Sequence, residues 1–188
     1  MERQSASEPK SEPKPLSSVE ALRRRARTHV ENGAVTEGYG LDPEWVVARL
    51  NESLATEVVC MLRYRRHHFV AAGLYAQTVA DEFKEHSDEE LSHCDLLAKR
   101  IIQLGGKPNF SPLGLLERSH AEYVEGDNLR EMIRENLVAE RIAIESYGEL
   151  IHSLGDKDPT TRRMLEHILS VEEEHAEDLA SMIEGMGA

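Results

Sequence analysis

From residue 42 to residue 184, apolar positions recur at alternating three- and four-residue steps, and this period predicts four long helices. The first should run from Pro43 to Ala72, the second from Leu74 to Leu104, the third from Leu129 to Leu154 and the fourth from Pro159 to Glu184. Asp42-Pro43 and Asp158-Pro159 are matching start signals, a capping carboxylate followed by proline at the first helical position. Gly73, Gly105-Gly106 and Gly155 mark the stops. Short turns join the first helix to the second and the third to the fourth. Residues 105–127, with Pro108, Pro112 and a short helical turn near Leu115–Arg118, make a long crossover between the pairs. The pattern describes an all-α four-helix bundle over residues 42–188, preceded by an N-terminal extension, residues 1–41.

The apolar seams are interrupted in the same way in every helix. The first presents Val47, Leu50, Leu54, Glu57, Met61, Tyr64 and His68; the second presents Val79, Phe83, His86, Glu90, His93 and Leu97. The third gives Ile133, Leu137, Glu140, Ile144, Tyr147, Ile151 and Leu154; the fourth gives Leu165, Ile168, Glu172, His175, Leu179 and Met182. Glu, or Glu with His, thus falls at mid-seam four times. Burying an unpaired carboxylate costs several kcal/mol, so four together need protons or cations. Two divalent metal ions would balance four carboxylates.

The pattern is also repeated. Glu90-Leu91-Ser92-His93 returns as Glu172-Glu173-Glu174-His175, and i, i+3 spacing aims both side chains at one point. With 27 Glu and 9 His in 188 residues the chain holds four Glu-x-x-His matches, where chance gives about one. Two of the four carry an upstream partner: Leu54-x-x-Glu57 with Tyr64 precedes the first, and Leu137-x-x-Glu140 with Tyr147 precedes the second. The partner gaps, 33 and 32 residues, imply an internal duplication. Glu117/His120 falls in the crossover, and Glu149 lies about 180° round the helix from Glu140, so those two pairs are coincidences.

Composition narrows the setting. The chain is 40% hydrophobic and only 5% aromatic, with no strand-like concentration of β-branched residues. No apolar run reaches membrane-spanning length and no signal peptide opens the chain; Cys60 and Cys94 are the only cysteines. A soluble cytoplasmic protein without a disulfide framework is expected. The net charge of −13 is uneven, because residues 1–30 carry seven Arg and Lys against four Glu. The acidic remainder argues for handling cations and against general nucleic-acid binding. Residues 1–16 are expected to be disordered, Ser17-x-x-Glu20 to cap a basic helix from Val19 to Glu31, and residues 33–41 to act as a linker.

Glu57, Glu90, His93, Glu140, Glu172 and His175 reproduce the di-iron carboxylate pattern of ferritin-like proteins. Residues 50–104 and 129–184 resemble bacterioferritin. That resemblance implies a ferroxidase binding two iron ions per subunit, Glu57 and His93 on one, Glu140 and His175 on the other, with Glu90 and Glu172 bridging. O₂ or H₂O₂ would take the electrons, and Fe(III) would be stored inside a hollow shell. Tyr64 and Tyr147 would hydrogen-bond the ligands. Bacterioferritins bind haem through a Met at the place taken here by Leu91, so no haem is expected by that route. Thirteen residues follow His175, enough to finish the fourth helix without a fifth. That resembles the smaller Dps-like cages and favours a dodecamer over a 24-mer. Alternatives are a Dps-like protein binding DNA through Arg23, Arg24, Arg25 and Arg27 in the tail, or a non-cage di-metal peroxidase or catalase. Cys60 and Cys94 lie beside the site, as thiols do in the thioferritin branch of Dps-like proteins, and are expected to be buried free thiols.

Overall fold

The computed structural model describes residues 15–73 and 76–186. Helix α1 spans Val19–Arg25, a 3₁₀ turn covers Val30–Asn32, and then come α2 (Pro43–Val70), α3 (Ala76–Gln103), the short α4 (Leu115–Arg118), α5 (Leu129–Leu154) and α6 (Pro159–Gly185). The four long helices are those expected from the seams. The expected start of the second, Leu74, lies outside the described residues. Asp42 accepts a hydrogen bond from Glu44 N at 3.0 Å and Asp158 from Thr161 N at 2.9 Å, so both Asp-Pro signals act as true N-caps. No described helix is long and apolar enough to cross a membrane.

The helices pair as α2 with α3 and α5 with α6, and α2 packs on α5 to close the bundle. The crossover lies along α2. Asn51 Nδ2 donates to the carbonyl of Lys107 at its beginning, and Arg66 Nη2 pairs with Glu125 at 2.7 Å near its end. It therefore travels about 20 Å along the helix, which makes α3 and α5 run the same way. At its start the backbone presses on α2: a Cβ on Gly106 would lie 2.5 Å from Val47 Cγ1, so only glycine fits.

Two apolar clusters sandwich the polar mid-section. One holds Val46, Leu50, Leu54, Leu97, Ile101, Leu154, Leu165 and Ile168; the other holds Tyr64, Val79, Phe83, Ile133 and Leu179. A buried brace lies at the end of the first. Arg100 donates to both oxygens of Asp158 at 3.0 Å and to Thr161 Oγ1 at 2.7 Å, and Tyr39 donates to Asp158 at 2.6 Å. Val35, Tyr39 and Leu41 pack on this cluster, so the stretch expected as a linker is seated on the bundle.

Three local expectations are corrected. The cap of α1 is Ser18, which accepts from Ala21 N at 3.2 Å, whereas Ser17 accepts from Arg25 instead. The helix stops at Arg25 rather than Glu31; none of its residues is buried, so no packing extends it. Along α2 the buried face ends at Arg63, Tyr64 and His67 instead of Met61 and His68. A strict 3.5-residue seam drifts about 20° per heptad on a straight helix, and α2 is covered by the crossover as well as by α3 and α5.

Candidate metal centre

At mid-bundle, α2 contributes Glu57, α3 Glu90 and His93, α5 Glu140, and α6 Glu172 and His175; none is more than 3% exposed. They form two overlapping groups. Ligand atoms of Glu57, Glu90, His93 and Glu172 lie within 4.8 Å of one another, and so do those of Glu90, Glu140, Glu172 and His175. Glu90 and Glu172 belong to both groups, which is the arrangement that two cations sharing two carboxylates require. The excluded pairs behave as surface: Glu117, His120, Glu149 and His152 are exposed.

Both histidines turn Nδ1 inward. His93 Nδ1 lies 2.9 Å from Glu172 Oε1, 3.2 Å from Glu57 Oε2 and 3.5 Å from Glu90 Oε2. His175 Nδ1 lies 3.7 Å from Glu172 Oε2 and 3.9 Å from Glu90 Oε1, while its Nε2 meets Glu89 Oε2 at 2.7 Å. A ring held by a carboxylate on one nitrogen presents the other to a metal in a fixed orientation. The two tyrosines reach across the repeat: Tyr64 donates to Glu140 and Tyr147 to Glu57, each serving the other half.

Electrostatics show what the cluster lacks. Burial, with the charges of Glu172 and Glu57, pushes the Glu90 carboxyl well above the usual range; burial and Glu172 do the same to Glu140. For His93, burial opposes protonation, but Glu172 and Glu57 outweigh it and raise the imidazole to about 10. His175 is raised for the same reason by Glu172 and Glu89. The Glu172 carboxyl is instead held low, burial opposing its charge and the imidazoles of His175 and His93 overcoming that opposition. Protons thus substitute for missing positive charge. The hydrogen bonding is incomplete even so: both oxygens of Glu90, both of Glu172, Oε2 of Glu140 and Nδ1 of His175 are buried without a hydrogen-bond partner. The 2.9 Å approach of His93 to Glu172 is a misaligned ion pair. Buried polar atoms are otherwise almost always satisfied, so six orphans turned toward one point fit a pair of cations as their missing partner. Imidazole and carboxylate donors suit iron among the first-row metals.

The seams missed a second polar layer behind the first. Arg63, 1% exposed, donates from Nε to Asn136 Oδ1 at 2.8 Å and from Nη1 to the carbonyl of Glu122 at 2.7 Å. Asn136 Nδ2 in turn meets His67 Nδ1 at 3.0 Å, and His67 Nε2 meets the carbonyl of Glu125 at 2.9 Å. This network ties the crossover to α2 and α5, and the charge of Arg63 partly offsets the rise that burial and Glu172 impose on Glu140. Burial lowers His67 to about 4. Cys60 and Cys94 are both buried and free, and burial raises both thiols.

Residues 47–186 match the model of the ferritin-like domain family. Over 139 residues the chain is 32% identical to the nutrient stress-induced DNA-binding protein of a Synechococcus species, covering 71% of this chain and 78% of that one. It is 29% identical to the bacterioferritin of Mycobacterium leprae over 147 residues, 78% of this chain and 87% of the other. Among solved structures it is similar to a dodecameric thioferritin, the bacterioferritin-related protein of Bacteroides fragilis. That match has a TM-score of 0.76 and 32% identity, and covers 78% of this chain and 89% of that one.

Proposed function

Because the chain belongs to the ferritin-like domain family, we propose that it is a ferroxidase that stores iron in a hollow shell of its own copies. The observation that carries this reading is the set of six orphaned atoms on Glu90, Glu140, Glu172 and His175 at the meeting point of two overlapping ligand groups. Glu57 and His93 would hold one Fe(II) and Glu140 and His175 the other, with Glu90 and Glu172, which belong to both groups, shared between them. Held there, the two ions would give up one electron each, reducing O₂ with two protons to H₂O₂, or H₂O₂ with two protons to two waters, and leaving two Fe(III).

The chain's own part is positional and electrostatic. Four carboxylates cancel the charge of the incoming pair, and their burial rewards that cancellation more than an exposed site would. Tyr64 and Tyr147 hold Glu140 and Glu57 in place, and Glu89 aims His175. Cation entry displaces the protons borne by the imidazoles and by Glu90 and Glu140, so binding releases acid. Leu91 is half exposed on α3 and offers no thioether, and the reading assigns no haem to the chain.

Similarity to a dodecameric relative supports a 12-subunit shell of about 250 kDa from 21.2 kDa chains. Aerobic addition of Fe(II) followed by size separation tests both parts. The reading expects hundreds of irons to co-migrate with a particle of that size. A dimer retaining only two metals per chain contradicts storage and favours a non-cage di-metal enzyme. A second reading, DNA protection, is favoured by exposed Arg23 and Arg24 of α1 and by the name of the Synechococcus relative. The net charge of −13 opposes it. A salt-dependent gel shift that vanishes when residues 1–30 are removed would support it, and no shift at low salt ends it.

A further inference from the structure

The two halves of the repeat are not equivalent around the centre. Glu90 and Glu172 correspond across a shift of 82 residues, and the same shift sets Glu82 against Met164, His86 against Ile168 and Leu96 against Asp178. Ile168 is fully buried and His86 is 2% exposed. One half therefore buries an imidazole where the other packs hydrocarbon, at a cost that a ligand would offset.

Hydrogen bonding decides which way that imidazole is protonated. Tyr64 donates its single proton to Glu140, so toward His86 Nδ1, 3.2 Å away, its oxygen can only accept. The proton of neutral His86 thus sits on Nδ1, and Nε2 presents a lone pair. That lone pair faces Glu82 Oε1 at 3.4 Å, an acceptor against an acceptor. Asp178 brings a second carboxylate, and one ligand atom from each of the three lies within 4.8 Å of the others. Glu82 is partly exposed and Asp178 exposed, so the group opens to solvent on one side. On the other, the His86 ring stacks on that of His175, centroids 3.9 Å apart and planes 19° from parallel. Exposed Glu85 and half-exposed Glu89 extend the negative surface around this opening.

We propose that Glu82, His86 Nε2 and Asp178 bind a third divalent transition-metal cation, a staging site for Fe(II) on the solvent side of His175. It rests on the reading of the inner six residues as a metal pair. One imidazole and two carboxylates are a donor set for Fe(II), Mn(II), Co(II) or Zn(II). Only three protein ligands, two of them accessible, leave positions for water and make the ion exchangeable. The repeat supplies no counterpart beside His93, so iron is gathered on one side of the centre and reaches the pair across His175.

The test is anaerobic Co(II) titration of the assembled protein, counted by equilibrium dialysis, for wild type and for Glu82→Gln/Asp178→Asn. Neither substituted residue belongs to the inner six. The double variant should bind one Co(II) fewer per chain and keep the inner pair. At limiting Fe(II) its oxidation should be about tenfold slower, with the saturating amplitude unchanged, because local cation capture is lost. Equal Co(II) counts overturn the site; they are also the result if only a proton lies between His86 and Glu82. A missing Co(II) with unchanged oxidation rates overturns the staging role. Glu140→Ala reports on the inner pair separately. If that variant loses no Co(II), the inner reading fails, while the difference made by Glu82 and Asp178 still decides the outer one.

Discussion

Replacing Glu90 by Leu separates a metal centre from a structural polar core, because the two predict opposite signs. Both Glu90 oxygens are buried without a hydrogen-bond partner, and burial with neighbouring carboxylates pushes its carboxyl upward. Leu has nearly the same volume and no polar atoms. Removing a buried group left unsatisfied recovers about 1–3 kcal/mol, provided the neighbours lose nothing. His93 keeps Glu172 at 2.9 Å and Glu57 at 3.2 Å, so the loss to it is small. For a chain of this length each kcal/mol moves the unfolding midpoint by about 2–4 °C. The chelated variant should therefore melt about 5 °C above chelated wild type. Saturating Co(II) should raise wild type by about 2.7 kcal/mol per occupied site at one hundred times Kd, and should raise the variant less, because only the outer group of Glu82, His86 and Asp178 is left intact. Differential scanning calorimetry on assembled protein, with assembly verified by light scattering, reads both. A chelated variant that melts lower than wild type, or a Co(II) shift as large as that of wild type, refutes the argument that these carboxylates are held for metal.

Tyr64→Phe should weaken Co(II) binding about 10–100-fold by freeing Glu140, and Tyr147→Phe should do the same through Glu57; a competition titration with a chromogenic chelator measures each. Asp158→Ala strands Arg100 and uncaps α6, and should cost about 3–5 kcal/mol in chemical denaturation, far more than an exposed cap. His67 lies at about 4 in the folded chain, below its unfolded value near 6.5, so the unfolded chain takes up the proton first. Its contribution is complete above pH 6.5 and is lost as pH falls toward 4, by up to about 3 kcal/mol. Thermal midpoints of chelated wild type should fall through that window, and His67→Gln should flatten the fall.

The legible parts of this fold were those written in short range. The Asp-Pro pairs state where α2 and α6 begin, because cap and proline act within one turn. The six acidic and imidazole positions stand out because each interrupts an apolar seam at equal spacing, and the structure gathers all six. What sequence could not place is what depends on partners distant along the chain. Arg63 and Asn136 look like ordinary polar helix residues until the crossover brings the carbonyl of Glu122 to them. Tyr64 and Tyr147 were legible as neighbours of the site, but their crosswise service of Glu140 and Glu57 needs the pairing of α2 with α5. His86 was visible on a seam. Its meaning required Glu82 and Asp178, which a helix wheel of α3 alone does not unite.

The most direct measurement of the central claim is single-turnover oxidation of Fe(II) by O₂, titrated against chain concentration and compared with Glu140→Ala. The account predicts a fast phase whose amplitude saturates at two Fe(II) per chain, one for each ligand group, and which disappears when Glu140 is removed. A fast phase that saturates at any other number, or that persists unchanged in Glu140→Ala, contradicts the assignment of these residues as the oxidation centre.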